Sequence, residues 1–304
     1  MTQERLLQKV ASVMLIADFE VSDRFSMRPR SFDMIARRGT TIIVIKVVSH
    51  IDSASDELAA DLDQVAISLK GSPLIIGERA RDGDLERGTV YLRYGIYAVS
   101  ISTLHDFFVE NVPPLIYASP GGLYVNIGGN ALREAREAHN LSLGDLGQLL
   151  GVSRRAISKY ESGMSTSVDI AIRLEEIFEQ EVIEPIDLLR YSSRLRPGEK
   201  ETLSNGTMAF LCEIGVELQR VRRAPFQVLI TWRNHAILTA YGTSQKVVKR
   251  ATLIGNLSKI TKTHAMCVTT DEVIRKRIGQ TLVVWEEQLH EIEDGDALIA
   301  MVDE

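Results

Sequence analysis

The chain is predicted to be α/β plus all-α, with two mixed-sheet α/β domains on either side of an all-helical segment. Three observations lead there. Apolar runs of strand length recur near both ends in the same order. The pattern from Asn130 to about Leu189, between them, is purely helical. The chain has 304 residues, 45% hydrophobic and 25% charged, which suits two or three compact domains with real cores. The expected boundaries are 1–112 for the first α/β domain, 113–130 for a hairpin and linker, 131–190 for the helical domain and 199–304 for the second α/β domain.

The first copy opens with an apolar-periodic helix, Leu6 to Asp18, leading into Phe19-Glu20-Val21. After a basic loop come Arg30–Ala36 and then Thr41-Ile42-Ile43-Val44-Ile45-Lys46-Val47-Val48. A polar amphipathic helix, Ala54 to Leu69, precedes Pro73-Leu74-Ile75-Ile76. Val90–Leu92, Tyr97–Val99 and a helix over Thr103–Val109 close the copy. Strands that are apolar throughout belong to a sheet covered on both faces.

The same order returns later. A helix is expected over Leu203–Ile214, strands over Pro225–Ile230 and Ala236–Tyr241, and a helix over Ser244–Lys262. Strands at Ala265–Thr269 and Leu282–Trp285 and a last helix near Glu287 follow. Phe32 aligns with Phe226 and Lys46 with Ala240, at one offset of 194 residues. The intervening stretch Leu115–Ile127 reads as a β-hairpin around Pro120-Gly121-Gly122, and Arg196-Pro197-Gly198 as a linker.

The strongest local signal is LSLGDLGQLLGVSRRAISKYESG, Leu141–Gly163. Ser142 caps a helix, with Asp145 placed to complete a capping box. Leu143, Leu146, Leu149 and Leu150 form its expected apolar face. Gly147 is small where a second helix must come close, and Gly151 supplies a left-handed turn residue. Val152 plugs the core and Ser153 caps the next helix, which buries Ile157 and Tyr160. This is a helix-turn-helix, whose second helix can enter the major groove of a duplex.

The segment Leu132–Leu189 resembles the five-helix DNA-binding domain of the phage repressor and Cro family. The matching residues are Leu132–Arg136, Leu141-Ser142, Leu146, Leu150-Gly151-Val152-Ser153, Ile157–Gly163, the Asp169–Phe178 helix and Pro185–Leu189. Leu143 stands where that family often carries glutamine. The resemblance implies double-stranded DNA as partner, with contacts from Ser142, Leu143, Gly144, Ser153, Arg154, Arg155, Ser158, Lys159 and Ser162. One helix offers few base contacts, so a homodimer reading two half-sites is expected. Over residues 131–190 there are seven Lys/Arg and eleven Asp/Glu, yet Ser153–Tyr160 holds three basic residues and no acid. The whole chain carries −6, which excludes a protein that coats nucleic acid non-specifically and confines any contact to a local patch. A solvated helical hairpin, or a member of this fold that binds protein partners, is the competing reading.

The first copy resembles the PD-(D/E)xK nuclease superfamily, including archaeal Holliday-junction resolvases. Those enzymes need an Asp, then Glu-x-Lys on the next strand, to hold a divalent metal and neutralise phosphate charge. Asp33 and Lys46 match; the middle acid falls on Val44, which cannot ligate a metal. In the second copy the three positions are Gln227, Leu238 and Ala240. Both α/β domains are therefore expected to be degenerate nuclease-like domains without catalysis, DNA cleavage being the alternative. Arg28, Arg30, Arg37 and Arg38 in the first copy, with Arg220, Arg222 and Arg223 in the second, are candidate phosphate contacts. The whole arrangement is similar to a family of archaeal helix-turn-helix transcriptional regulators.

No cofactor is implied. The six histidines are scattered without metal spacing, and Cys212 and Cys267 suit buried hydrophobes in a reducing, cytoplasmic setting. No apolar stretch is long enough to suggest a membrane span.

Overall fold

The computed structural model describes residues 2–23, 30–190, 206–273 and 276–304. The expected linker at Arg196–Gly198, the start of the expected helix at Leu203, and Arg28 lie outside them.

The first copy runs α1 (Gln3–Ile16), β1 (Glu20–Val21), β2 (Met34–Arg38), β3 (Thr41–Val47), α2 (Asp56–Ser68) and β4 (Ser72–Gly77). A small ribbon of β5 (Arg79–Ala80) and β6 (Gly83–Asp84) precedes β7 (Thr89–Arg93), β8 (Ile96–Ser100) and α3 (Ile101–Phe108). Thr2, Ser55 and Ser100 cap α1, α2 and α3 with their hydroxyls. The middle segment comprises β9 (Ile116–Ser119), β10 (Gly122–Ile127), α4 (Gly129–Ala138), α5 (Leu143–Leu150), α6 (Arg154–Glu161), β11 (Thr166–Ser167), α7 (Val168–Phe178) and β12 (Ile183–Glu184). The second copy has α8 (Gly206–Glu213), β13 (Glu217–Arg220), β14 (Val228–Trp232), β15 (His235–Gly242), α9 (Ser244–Thr261), β16 (His264–Thr269), β17 (Lys276–Ile278), β18 (Thr281–Trp285), α10 (Glu286–Leu289) and α11 (Gly295–Asp303).

The strand orders are β1-β2-β3-β4-β8-β7 and β13-β14-β15-β16-β18-β17. In each sheet the third strand is antiparallel to the second and parallel to the fourth. Even the register repeats: Met34 faces Ile45, and Val228 faces Thr239. Each copy is one crossover α/β unit, because parallel neighbours need a helix between them and α2 and α9 provide it.

The copies are not separate globules. Phe32, Ile35, Val44 and Ile75 share one buried cluster with Phe226, Leu229, Leu238 and Cys267. α2 and α9 lie in this common core, and α1 and α3 cover the other face of the first sheet. α8, α10 and α11 do the same for the second. Polar links cross the junction as well. The Ser31 N–H donates to the Arg223 carbonyl at 2.9 Å, and Arg37 Nη1 donates to the Thr261 carbonyl at 2.7 Å, at the end of α9. Arg223 pairs with Asp61 of α2 at 2.9 Å and also with Glu57.

The hairpin is more than a linker. β9 pairs parallel to β7, so β9, β10 and β11 extend the first sheet, and β12 pairs with β10. The expectation of five helices in the middle segment is corrected to four. Pro185–Leu189 forms no helix. The preceding residues pair as a strand, Ile183 opposite Ile127, and Pro185 favours extended backbone at Glu184 before it. The Ile186 N–H then donates to the Pro114 carbonyl, and Ile186 and Leu188 enter the core of the first copy.

Candidate nucleic-acid interface

The interface is built from α5, the turn and α6. Ser142 Oγ accepts the Asp145 N–H at 3.1 Å, and Asp145 Oδ2 accepts the Ser142 N–H at 2.8 Å, closing a capping box. Hydrogen bonds to the carboxyl from the Ser142 side chain and backbone N–H hold Asp145 below the usual carboxylate range. Leu146 and Leu150 are buried and Leu143 half-buried, but Leu149 is half exposed and leaves the expected apolar face. Gly151 ends the helix at φ 70°, a left-handed position that favours glycine. A Cβ on Gly147 would stand 2.8 Å from the Val152 carbonyl oxygen, so the chain can pass here only over a glycine.

Ser153 Oγ accepts the Ala156 N–H at 3.1 Å and starts α6. Ile157 is fully buried and Tyr160 half-buried, so one face of α6 is held in the core. On the other face Arg154, Arg155, Ser158 and Lys159 are exposed. Among the described residues no carboxylate pairs with these three cations. Ser142 and Gly144 are also exposed; Ser162 is exposed, with its hydroxyl donating to the Lys159 carbonyl.

The residues that position α6 escaped the sequence reading. Glu161, at its C-terminal end, is buried and receives Arg136 Nε at 2.5 Å, with Arg133 Nε at 3.4 Å. Arg136 Nη1 also donates to the Leu141 carbonyl at 2.8 Å, tying α4 to the start of α5. From α7, Arg173 donates to the carbonyls of Leu149 and Leu150, satisfying the open end of α5. Charged residues near helix ends signal such ties only weakly, because spacing does not say which acid meets which arginine.

Four of the arginines expected as phosphate contacts, Arg30, Arg37, Arg38 and Arg223, also make contacts within the fold. Arg30 pairs with Asp33. Arg37 binds the Gly39 and Thr261 carbonyls, and Arg38 binds the Ala17 carbonyl and lies over the Phe19 ring. Arg223 joins Glu57 and Asp61. Arg220 and Arg222 are exposed.

The nuclease-like positions come together with a different outcome. Asp33 is fully buried. One of its oxygens accepts the Val47 N–H at 2.7 Å and lies 3.4 Å from Lys46 Nζ, and the other meets Arg30. Val44 sits in the shared core with no exposure. Leu238 and Ala240, the counterparts of Val44 and Lys46 in the second copy, are buried too.

Residues 3–114 match the family model of the PD-(D/E)XK superfamily domain, and residues 132–182 match that of the helix-turn-helix. The metal implied by the first match does not fit the residues present. Asp33 is buried against two cations, valine replaces the second acid, and no group of three metal-binding side chains exists among the described residues. No solved structure matches the chain. A "Putative HTH-type transcriptional regulatory protein" of Methanosphaerula palustris is 61% identical over 303 residues, covering all of both chains. The protein of the same name from Methanospirillum hungatei is 55% identical over 99% of both chains. One from Methanosarcina barkeri is 36% identical over the whole of this chain and 98% of its own. No described helix is long and apolar enough to cross a membrane. With end-to-end similarity at these levels, the chain belongs to the archaeal family of HTH-type transcriptional regulatory proteins.

Proposed function

We propose that the chain regulates transcription by binding double-stranded DNA sequence-specifically as a homodimer, without catalysing a reaction on it. The observation that carries this reading is the acid-free outer face of α6, where Arg154, Arg155 and Lys159 stand exposed. An arginine that reaches guanine O6 and N7 discriminates by about 1–3 kcal/mol, and such reach requires an unpaired guanidinium on a groove-sized helix. Ser153 accepts a backbone N–H at its cap, so its hydroxyl keeps its own hydrogen to donate to a phosphate.

A dimer supplies the second half-site. The broad apolar face of each α/β copy is already covered by the other copy, so the second protomer must meet this one elsewhere. The non-catalytic reading is supported by Val44, by the ion-paired burial of Asp33 and by the second copy, where none of the three positions retains its chemistry.

Selection from random duplexes at fixed salt tests the proposal. A two-fold symmetric motif with half-sites about one helical turn apart is the expected result. Failure to enrich any sequence overturns specific recognition. Metal-dependent cutting of linear or branched duplexes that disappears in Lys46→Ala overturns the non-catalytic reading.

A further inference from the structure

We propose that His235 and His264 form a site for one divalent transition-metal ion on the second copy, with two imidazole nitrogens as ligands and Asp303 orienting one ring. His235 opens β15 and His264 opens β16, and the parallel register of these neighbours sets Ile237 opposite His264. The starts of two adjacent strands thus bring the rings together at one edge of the sheet. His235 Nδ1 lies 3.2 Å from His264 Nε2. The ring planes are 28° apart with centroids at 5.4 Å, and the two nitrogens make the close approach.

Two nitrogens bound tetrahedrally to zinc at about 2.0–2.1 Å are roughly 3.3 Å from one another. The observed separation is close to that. On the far side of the ring, His264 Nδ1 lies 3.1 Å from Asp303 Oδ1, in α11. A carboxylate in this position takes the Nδ1 hydrogen, fixes the tautomer and leaves the Nε2 lone pair directed at the partner. His235 Nδ1 then presents either a hydrogen, giving an N–H···N bond, or a second lone pair. A metal ion takes the place of that hydrogen.

The two rings differ in freedom. His264 is mostly covered and held by Asp303, whereas His235 is exposed and can turn to meet the ion. Imidazole pairs select zinc, nickel or copper over calcium and magnesium. No third histidine, cysteine or carboxylate completes the cluster among the described residues, so water fills the remaining positions. The bound ion would join two strand ends and, through Asp303, the C-terminal helix.

Titration calorimetry on the untagged, chelator-treated full chain with zinc chloride tests this. One equivalent is expected to bind. His235→Ala and His264→Ala each lower the affinity by roughly tenfold or more, and Asp303→Asn by about 10–100-fold, the usual effect of losing such an orienting carboxylate. His105→Ala, elsewhere in the fold, leaves binding unchanged. Copper loaded in place of zinc shows two nitrogen ligands by electron paramagnetic resonance. Absence of saturable binding overturns the proposal, as does affinity that survives His235→Ala. Should His264→Ala fail to fold, the exposed His235 decides alone.

Discussion

Gln227 in the second copy does the structural work of Asp33 in the first. Gln227 Oε1 accepts the Tyr241 N–H at 2.7 Å, and Asp33 Oδ2 accepts the Val47 N–H at 2.7 Å, both pairs spanning fourteen residues. The backbone matches too: the Asp33 N–H donates to the Ile45 carbonyl and the Gln227 N–H to the Thr239 carbonyl. The position where a nuclease keeps a metal-binding acid is here a clamp between consecutive strands. A neutral amide suffices when no cation is near, and Ala240 replaces the lysine in that copy.

A double-mutant cycle follows from this equivalence. Asp33→Asn keeps an acceptor for the Val47 N–H but leaves the Lys46 ammonium, 8% exposed, without its carboxylate. Breaking a buried pair in this way costs about 3–5 kcal/mol. Lys46→Ala added to Asp33→Asn moves the site toward the neutral arrangement of the second copy and is expected to recover about 0.5–3 kcal/mol of coupling in urea unfolding. Strict additivity of the two single changes counts against a coupled Asp33–Lys46 pair.

The shared core makes a second prediction. Phe32 and Phe226 are both buried in the cluster common to the two copies. Phe32→Ala is expected to cost about 3–5 kcal/mol. Both tryptophans, Trp232 and Trp285, lie in the second copy. If the copies unfold together, this change in the first copy moves the denaturation midpoint reported by tryptophan fluorescence. A midpoint that stays put means that the copies unfold independently.

Much of this architecture is legible in the residues. Runs such as Thr41–Val48 and Ala236–Tyr241 announce strands covered on both faces, and the constant offset from Phe32 to Phe226 and from Lys46 to Ala240 foretells the repeated register. The caps at Ser142 and Ser153, and glycines at 147 and 151, locate α5 and α6 because those positions obey local rules. What covers the strands is not local, so the fusion of the two copies through Phe32 and Phe226 is invisible beforehand. Leu149 shows the same limit, since helical spacing places it beside an apolar face without saying how wide that face is. Composition reads Arg37 and Arg223 as surface charge, whereas tertiary contacts turn them into links between copies.

The seat of α6 depends on Glu161. Its carboxylate is buried against Arg136, which is itself mostly covered. Glu161→Ala is expected to destabilise the helical segment by about 1.5–3 kcal/mol, because the guanidinium loses its buried carboxylate and is left with the exposed Glu137 at 3.3 Å. DNA affinity should fall with it, although Glu161 faces away from the exposed cations. Thermal melts alongside operator binding check this, and a variant that melts like the parent sinks the assignment.

Acid should loosen the start of α5. The Asp145 carboxyl is held below its ordinary range by hydrogen bonds from Ser142. A carboxylate with a depressed folded-state pKa stabilises above its unfolded value, near 4, and that contribution is lost as pH falls through the folded value. Asp145→Asn should therefore cost stability at neutral pH and little at the acid end. Melting temperatures of both proteins between neutral and acidic pH decide the matter, and parallel curves contradict it.

The proposed recognition rests on three side chains that contribute little to the fold. Arg154, Arg155 and Lys159 are exposed and have no acidic partner among the described residues. Replacing each with alanine should change stability by no more than about 0.5 kcal/mol. Loss of a base-reading arginine costs about 1–3 kcal/mol and relaxes preference at one position of the site. Loss of a phosphate contact instead weakens all sequences alike and lowers the salt slope by about one. Measuring affinity for the selected site and for a scrambled duplex across a range of salt sorts each residue into one class or the other. A triple alanine variant that keeps both its fold and its preference for the selected site would remove α6 from the interface.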